Sequence, residues 1–91
     1  MDFNQHKPIY LQIVEQIEDK ILSGALKADE RIDSVREMAT ALGVNPNTVM
    51  RAYERATDEQ LIYNRRGIGY FVSAGAKRRA ATLLRERFER E

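Results

Sequence analysis

The chain contains no cysteine and no tryptophan, one histidine, and only two prolines among its 91 residues. Without cysteine there are no disulfides and no thiolate ligands, so the fold must hold by packing alone; a reducing, cytoplasmic setting fits. His6, the only histidine, lies near the N-terminus without the companions that a metal cluster or a general base needs. The carboxylates occur as surface pairs with no histidine, cysteine or phosphate-loop partner. Gly67-Ile68-Gly69 is too short for a nucleotide fingerprint, and it follows a strand without opening a helix. No apolar run approaches the roughly 20 residues that span a bilayer. Met1-Asp2-Phe3-Asn4 lacks the basic and apolar regions of a signal peptide. The expectation is therefore no enzyme, no metal, no cofactor and no membrane segment.

Charge is unevenly distributed. Residues 1–63 hold seven Lys/Arg against eleven Asp/Glu, a balance of −4, whereas residues 64–91 hold eight against three, a balance of +5. The overall +1 conceals this asymmetry. A basic C-terminal third suggests an anionic partner, and a solvated basic helix is the alternative. At this length one small domain is expected, with roughly two-thirds of its unfolded surface buried.

Apolar residues Ile9, Ile13, Val14, Ile17, Ile21 and Leu22 recur at helical spacing from Pro8 to about Ser23, with Glu15, Glu18, Asp19 and Lys20 on the other face. Gly24 supplies a left-handed stop. Leu26 to Ile32 is a connector with room for a short strand near Arg31–Ile32. Ser34-Val35-Arg36-Glu37 forms a capping box, and Val35, Met38, Ala39 and Leu42 face inward until Gly43. Asn45 then caps a third helix that has Pro46 at its first position and runs to about Glu59. Val49, Ala52, Tyr53 and Ala56 form its buried face, with the Tyr53 hydroxyl expected at the surface.

Two helices joined so tightly across Ala41-Leu42-Gly43-Val44-Asn45-Pro46 must cross steeply. That is how a helix-turn-helix presents its second helix to the DNA major groove. Leu61–Tyr63 and Tyr70–Val72 read as strands, joined through Asn64-Arg65-Arg66-Gly67-Ile68-Gly69, whose two glycines supply hairpin dihedrals. Two adjacent arginines are odd decoration for a purely structural turn; a basic hairpin in this place is a wing. After Gly75, Ala76, Ala80, Leu83, Leu84 and Phe88 follow a helical pattern, decorated by Lys77, Arg78, Arg79, Arg85, Arg87 and Arg90. An isolated helix of this length is marginal in water, so it must pack on the domain or on a second copy. The expected fold class is mainly α with a small β-hairpin: a winged helix-turn-helix over 1–73 plus a C-terminal helix over 75–91 as a homodimerisation element. Its seam is expected from Ala80, Leu83, Leu84 and Phe88.

In this form the chain resembles the GntR family of bacterial transcription regulators, and within it the YtrA-like subfamily. Pro8-Ile9-Tyr10-Leu11-Gln12-Ile13, Ile21-Leu22-Ser23-Gly24-Ala25-Leu26, Ser34-Val35-Arg36-Glu37-Met38-Ala39, the run Asn45 to Tyr53, and Arg66-Gly67-Ile68-Gly69-Tyr70-Phe71-Val72 carry the resemblance, in the family's order. It implies a regulator of transcription, by resemblance a repressor, that binds double-stranded DNA as a homodimer on a two-fold operator. Winged helices also serve as protein- or RNA-interaction modules, and the acidic balance of residues 1–63 leaves that open. Effector-binding domains follow the wing in larger relatives. About 18 residues follow it here, too few for such a pocket, and the small-molecule effector is left open. The sequence departs from the family pattern at Ala28 and Asp29, where Pro and Gly are common, at Ile32-Asp33-Ser34 in place of Leu-Pro-Ser, at Met50 and at Ala56. It also has Gln60 where Gly is usual after the recognition helix, so Gln60 is expected at positive φ.

The candidate DNA-facing residues are Arg36, Asn45, Asn47, Thr48, Arg51, Arg65, Arg66 and Gly67. The resemblance implies that Arg36 contacts DNA; an ion pair with Asp33 is the alternative. Asn47 and Thr48 can reach phosphate or a base edge, or serve the cap, with Thr48 answering Asn45. Arg51 suits phosphate clamping more than guanine reading. Arg65 and Arg66 would enter or straddle the minor groove.

Overall fold

A computed structural model describes Phe3 and residues 6–90, the side chain of Arg90 excepted. The expected cationic role of that side chain thus lies outside the described residues. The elements run α1 (Ile9–Ser23), α2 (Val35–Leu42), α3 (Pro46–Asp58), β1 (Ile62–Arg65), β2 (Gly69–Val72) and α4 (Ala76–Arg90). Four helices with one antiparallel hairpin give the mainly α winged helix-turn-helix that the sequence suggested.

Local chemistry sets most boundaries. Pro8 stands one residue outside α1, in extended geometry (φ −53°, ψ 139°), and its carbonyl accepts from Leu11 and Gln12 at 3.1 and 3.3 Å. Gly24 ends α1 at φ 86°. Ser34 and Glu37 make both halves of the capping box: the Glu37 N–H donates to Ser34 Oγ at 3.1 Å, and the Ser34 N–H donates to Glu37 Oε1 at 2.9 Å. That bond holds the exposed Glu37 carboxyl below the usual carboxylate range. Gly43 turns the chain at φ 68°, Asn45 accepts from the Asn47 N–H at 2.8 Å, and Pro46 opens α3. The cap at Asn45 is therefore closed by the Asn47 backbone rather than by the Thr48 side chain.

The hairpin pairs Ile62 with Val72 and Arg65 with Gly69. The connector joins it through a single bridge, Arg31 with Phe71. Around this bridge the Asp29 N–H donates to Val72 O at 2.8 Å, the Val72 N–H to Glu30 O at 2.9 Å, and the Ile32 N–H to Tyr70 O at 3.0 Å. The short strand expected near Arg31–Ile32 is thus reduced to one bridge residue, Arg31, beside the two-stranded sheet.

The core gathers Ile13, Val14, Ile17 and Ile21 of α1, Ala39 of α2, Val49, Ala52, Tyr53 and Ala56 of α3, and Leu61, Ile62 and Val72 around the hairpin. Ile9, at the first position of α1, lies beyond the edge of this core and stays 40 % exposed. Tyr53 is fully buried, and its hydroxyl, expected at the surface, instead donates to Asp33 O at 2.6 Å. A phenol buried this deeply requires a partner, and the carbonyl just before α2 provides it. Burial also raises the Tyr53 pKa well above the ordinary phenol value.

α4 packs back along α1. Two expectations change as a result. Ala76 and Ala80 are fully buried in the chain's own core, and Leu83 packs against it. Ala80 is therefore closed off from any second copy. Glu18, placed by its spacing on the solvent face of α1, is only 4 % exposed because α4 covers it. Arg87 of α4 reaches Glu15 at 3.2 Å and Glu18 at 3.8 Å, and Lys7 pairs with Glu15 at 2.7 Å. Burial acts to raise the pKa of Glu15, but the hydrogen bonds from Lys7 and Arg87 outweigh it and keep that carboxyl low.

Glu18 lacks such bonds. Burial pushes it up to about 7; Arg87 opposes the shift, while Glu59, Glu15 and Asp19 add to it. A folded-state pKa above the unfolded value means that the folded protein holds a proton that the unfolded chain has released. The stability tied to that proton is full below the unfolded pKa and lost as pH rises toward 7. Glu18→Gln should therefore gain on the wild type by about 2–3 kcal/mol between pH 5 and pH 8, at 1.36 kcal/mol per pKa unit. Urea denaturation at the two pH values measures this; equal differences at both would refute it.

Gln60, just past the Glu59 cap of α3, has φ 64°. This is the left-handed geometry expected where relatives carry glycine. Asp29 shares it at φ 65°, but aspartate tolerates this region better, and its carboxylate accepts from the Tyr63 hydroxyl at 3.0 Å. Gln60→Gly should raise stability by about 0.5–1 kcal/mol, after allowing for the greater freedom of the unfolded glycine chain. Thermal denaturation would show a rise of about 3–6 °C, and an unchanged or lower midpoint would deny strain at this position.

Candidate nucleic-acid interface

The helix-turn-helix is built by three local devices in succession: the capping box that starts α2, the left-handed Gly43, and the Asn45–Pro46 start of α3. Gly43 donates its N–H back to Ala39 and Thr40, and the Val44 N–H returns to Ala39 O at 3.0 Å, so the turn is rigid in its backbone. Val49, Ala52, Tyr53 and Ala56 fix the inner face of α3. Asn47, Arg51 and Glu54 are left exposed and Thr48 half-buried, with Met50 at 41 % exposure. The first turn of α3 offers the short polar side chains of Asn47 and Thr48, while its own N–H groups are taken up by Asn45: Asn47 donates to the Asn45 side chain, and Thr48 and Val49 to its carbonyl.

Arg51 does not extend freely. Its guanidinium carbon lies 4.0 Å from the ring centroid of Tyr10, a residue of α1. Stacking over an aromatic face leaves the guanidinium edge free to donate while restricting where it points. Tyr10 was not among the candidates, and no local pattern could have named it, because the pair forms only when α1 and α3 pack. Arg36 is exposed in the first turn of α2. Among the described residues it makes no ion pair with Asp33 or any other carboxylate.

The wing ends in a tight turn. The Ile68 N–H donates to Arg65 O at 2.8 Å, with Gly67 at φ 77° in the position that a type II turn reserves for glycine. Arg66 and Gly67 occupy the turn, whereas Arg65 lies in β1 opposite Gly69. The Arg65 guanidinium carbon is 5.4 Å from the Phe71 ring centroid, and Tyr63 stacks on the same ring at 5.8 Å. Tyr70 meets Tyr53 edge-on at 4.9 Å, which ties the root of the wing to α3.

Some arginines are held by acceptors of the protein itself. Arg87 is paired with Glu15 and Glu18, Arg55 with Glu59, and Arg79 Nε donates to Glu59 O at 3.0 Å at the end of α3. Among the described residues, no carboxylate pairs with Arg36, Arg51, Arg65 or Arg66. The candidates on α2, α3 and the wing thus keep their donors available. No group of three His, Cys, Asp or Glu that could hold a metal occurs among the described residues. No helix among them is long and apolar enough to cross a membrane.

A helix-turn-helix followed by a basic two-stranded wing defines the winged helix-turn-helix class. The chain belongs within that class to the bacterial regulatory proteins of the gntR family, whose model matches residues 9–72. It is 40 % identical over 77 residues to the HTH-type transcriptional repressor YtrA of Bacillus subtilis (strain 168), covering 85 % of this chain and 59 % of that repressor. The chain thus spans about three-fifths of that relative's length. A GntR family transcriptional regulator from Listeria monocytogenes superposes with a TM-score of 0.83 at 40 % identity, over 97 % of this chain and 76 % of that one. AraR(DBD), solved in complex with operator ORR3, superposes with a TM-score of 0.72 at 27 % identity, over 80 % of this chain and 88 % of that one.

Proposed function

We propose that this chain is the DNA-binding part of a cytoplasmic transcription regulator, a repressor, that binds a two-fold operator as a homodimer. The first turn of α3, with Asn45, Asn47, Thr48 and Arg51, enters the major groove. Arg36 clamps the adjacent backbone, and Arg65, Arg66 and Gly67 lie over the neighbouring minor groove. The observation that carries this reading is that Arg36, Arg51, Arg65 and Arg66 make no ion pair among the described residues, in a fold similar to a domain solved on operator DNA.

A single copy covers too few base pairs for genomic specificity, and a second copy doubles the contacts. Residues Lys77, Ala81, Leu84 and Phe88 form a row on α4 next to the docked row Ala76, Ala80, Leu83 and Arg87. Their four-three-four spacing matches a two-helix seam. Phe88 is 69 % exposed in one copy. We place the dimer contact on Leu84 and Phe88.

Selection of bound sequences from a random duplex pool tests the proposal. A palindromic motif with half-sites about one helical turn apart is the expected product. Enrichment of no duplex, at low as well as moderate salt, would contradict duplex binding and favour a protein- or RNA-interaction module.

A further inference from the structure

Arg31 was not among the candidate residues, yet the fold carries it to the wing. The connector bridge places Arg31 opposite Phe71, which in turn faces Tyr63 in the hairpin. Residues directly opposite one another across paired strands share a face. Ile32, the next residue, is buried on the inner face, so alternation turns Arg31 outward with Phe71 and Tyr63. Arg65 joins the same face above the Phe71 ring.

The Arg31 side chain also has a defined direction. A methyl group added at Gly69 would lie 2.9 Å from Arg31 Nε and 3.5 Å from one of its terminal nitrogens. The guanidinium therefore lies against Gly69, at the wing end of β2. Gly69 has φ 147°, which an L side chain rarely adopts, so two independent requirements favour glycine here. Among the described residues no carboxylate pairs with Arg31. Glu37, which feels its charge, is already held by the Ser34 N–H.

Three guanidinium groups, Arg31, Arg65 and Arg66, thus lie on the wing without an ion pair among the described residues; the Asp29 carboxylate beside them is engaged by the Tyr63 hydroxyl. Like charges brought together in this way are tolerable in water and favourable against phosphate. We propose that Arg31 is a further wing-side contact to the DNA backbone, a phosphate clamp held in position by the bare α-carbon of Gly69. This rests on the duplex-binding reading given above. Arg31 adds affinity and register but no base preference, since backbone contacts carry no sequence information.

The test measures binding of the wild type, Arg31→Ala and Arg31→Lys to the selected duplex and to an unrelated duplex over a range of salt concentrations. Arg31→Ala should weaken binding to both duplexes by a similar factor, about tenfold, and lower the salt slope by about one unit per bound protomer. Arg31→Lys should keep most of the slope. Matched circular dichroism melts for Arg31→Ala and the wild type would show that the fold is intact. A wild-type slope in Arg31→Ala, with the wild type itself binding duplex, overturns this inference alone. A loss confined to the selected duplex overturns the phosphate assignment. A wild-type chain that binds neither duplex overturns the reading on which it rests.

Discussion

Leu84→Asp is expected to convert the protein to a monomer and to lower its affinity for a two-fold operator by about 100-fold or more. Leu84 lies outside the buried core, half-buried at the rim of the α1–α4 contact beside Glu15 and Phe88. An aspartate there leaves the fold intact but places two carboxylates opposite each other at a two-fold seam. The affinity loss follows from linkage: once one half-site is bound, the dimer holds its second recognition helix at high effective concentration, which gives about 10²–10⁴ in avidity. Affinity for an isolated half-site should be unchanged. Phe88→Asp, at a position 69 % exposed, should repeat the result with still less disturbance to the domain. Sedimentation velocity and duplex titration measure both effects. An unaltered sedimentation profile in both variants would place the seam elsewhere.

The second large effect belongs to the wing. Arg65→Ala combined with Arg66→Ala should weaken operator binding by about 10- to 100-fold and flatten its salt dependence. A dimer loses four cations by this change. If each neutralises one phosphate, the slope of log affinity against log salt should fall by about three to four units, since each contributes about 0.9. Both side chains are exposed, and Arg65 touches only the edge of the sheet through Phe71, so thermal stability should stay within about 0.5 kcal/mol. The separation matters: affinity falls while the melting curve does not. Wild-type affinity in the double variant would remove the wing from the interface.

Much of the architecture was written in short-range chemistry. Ser34 and Glu37 are three residues apart, so the capping box needed no tertiary information, and both of its hydrogen bonds are present. Gly43, Asn45 and Pro46 likewise specify a turn and a helix start by their own conformational preferences. Gln60 was legible as a strained position because a helix end demanded left-handed geometry where the chain offered a side chain. What escaped the sequence depends on elements far apart in the chain. Glu18 reads as a solvent-facing residue until α4 folds over it, and Ala80 reads as part of a seam until that docking buries it. The Tyr53 hydroxyl finds its carbonyl 20 residues away, at Asp33. The same limit applied to the candidate interface. Arg51 was visible as an exposed cation, but the Tyr10 ring beneath it and the position of Arg31 beside Gly69 arise only from packing.

The central claim is that the start of α2, the first turn of α3 and the wing together form one surface for duplex DNA. Amide chemical-shift mapping during titration with the selected duplex tests it most directly. The account predicts that the largest changes fall at Ser34–Glu37, Asn45–Arg51 and Arg65–Gly69, with the face formed by Glu15, Glu18 and Arg87 unaffected. Changes concentrated on that α1–α4 face, with the tip of α3 and the wing unmoved, would contradict it.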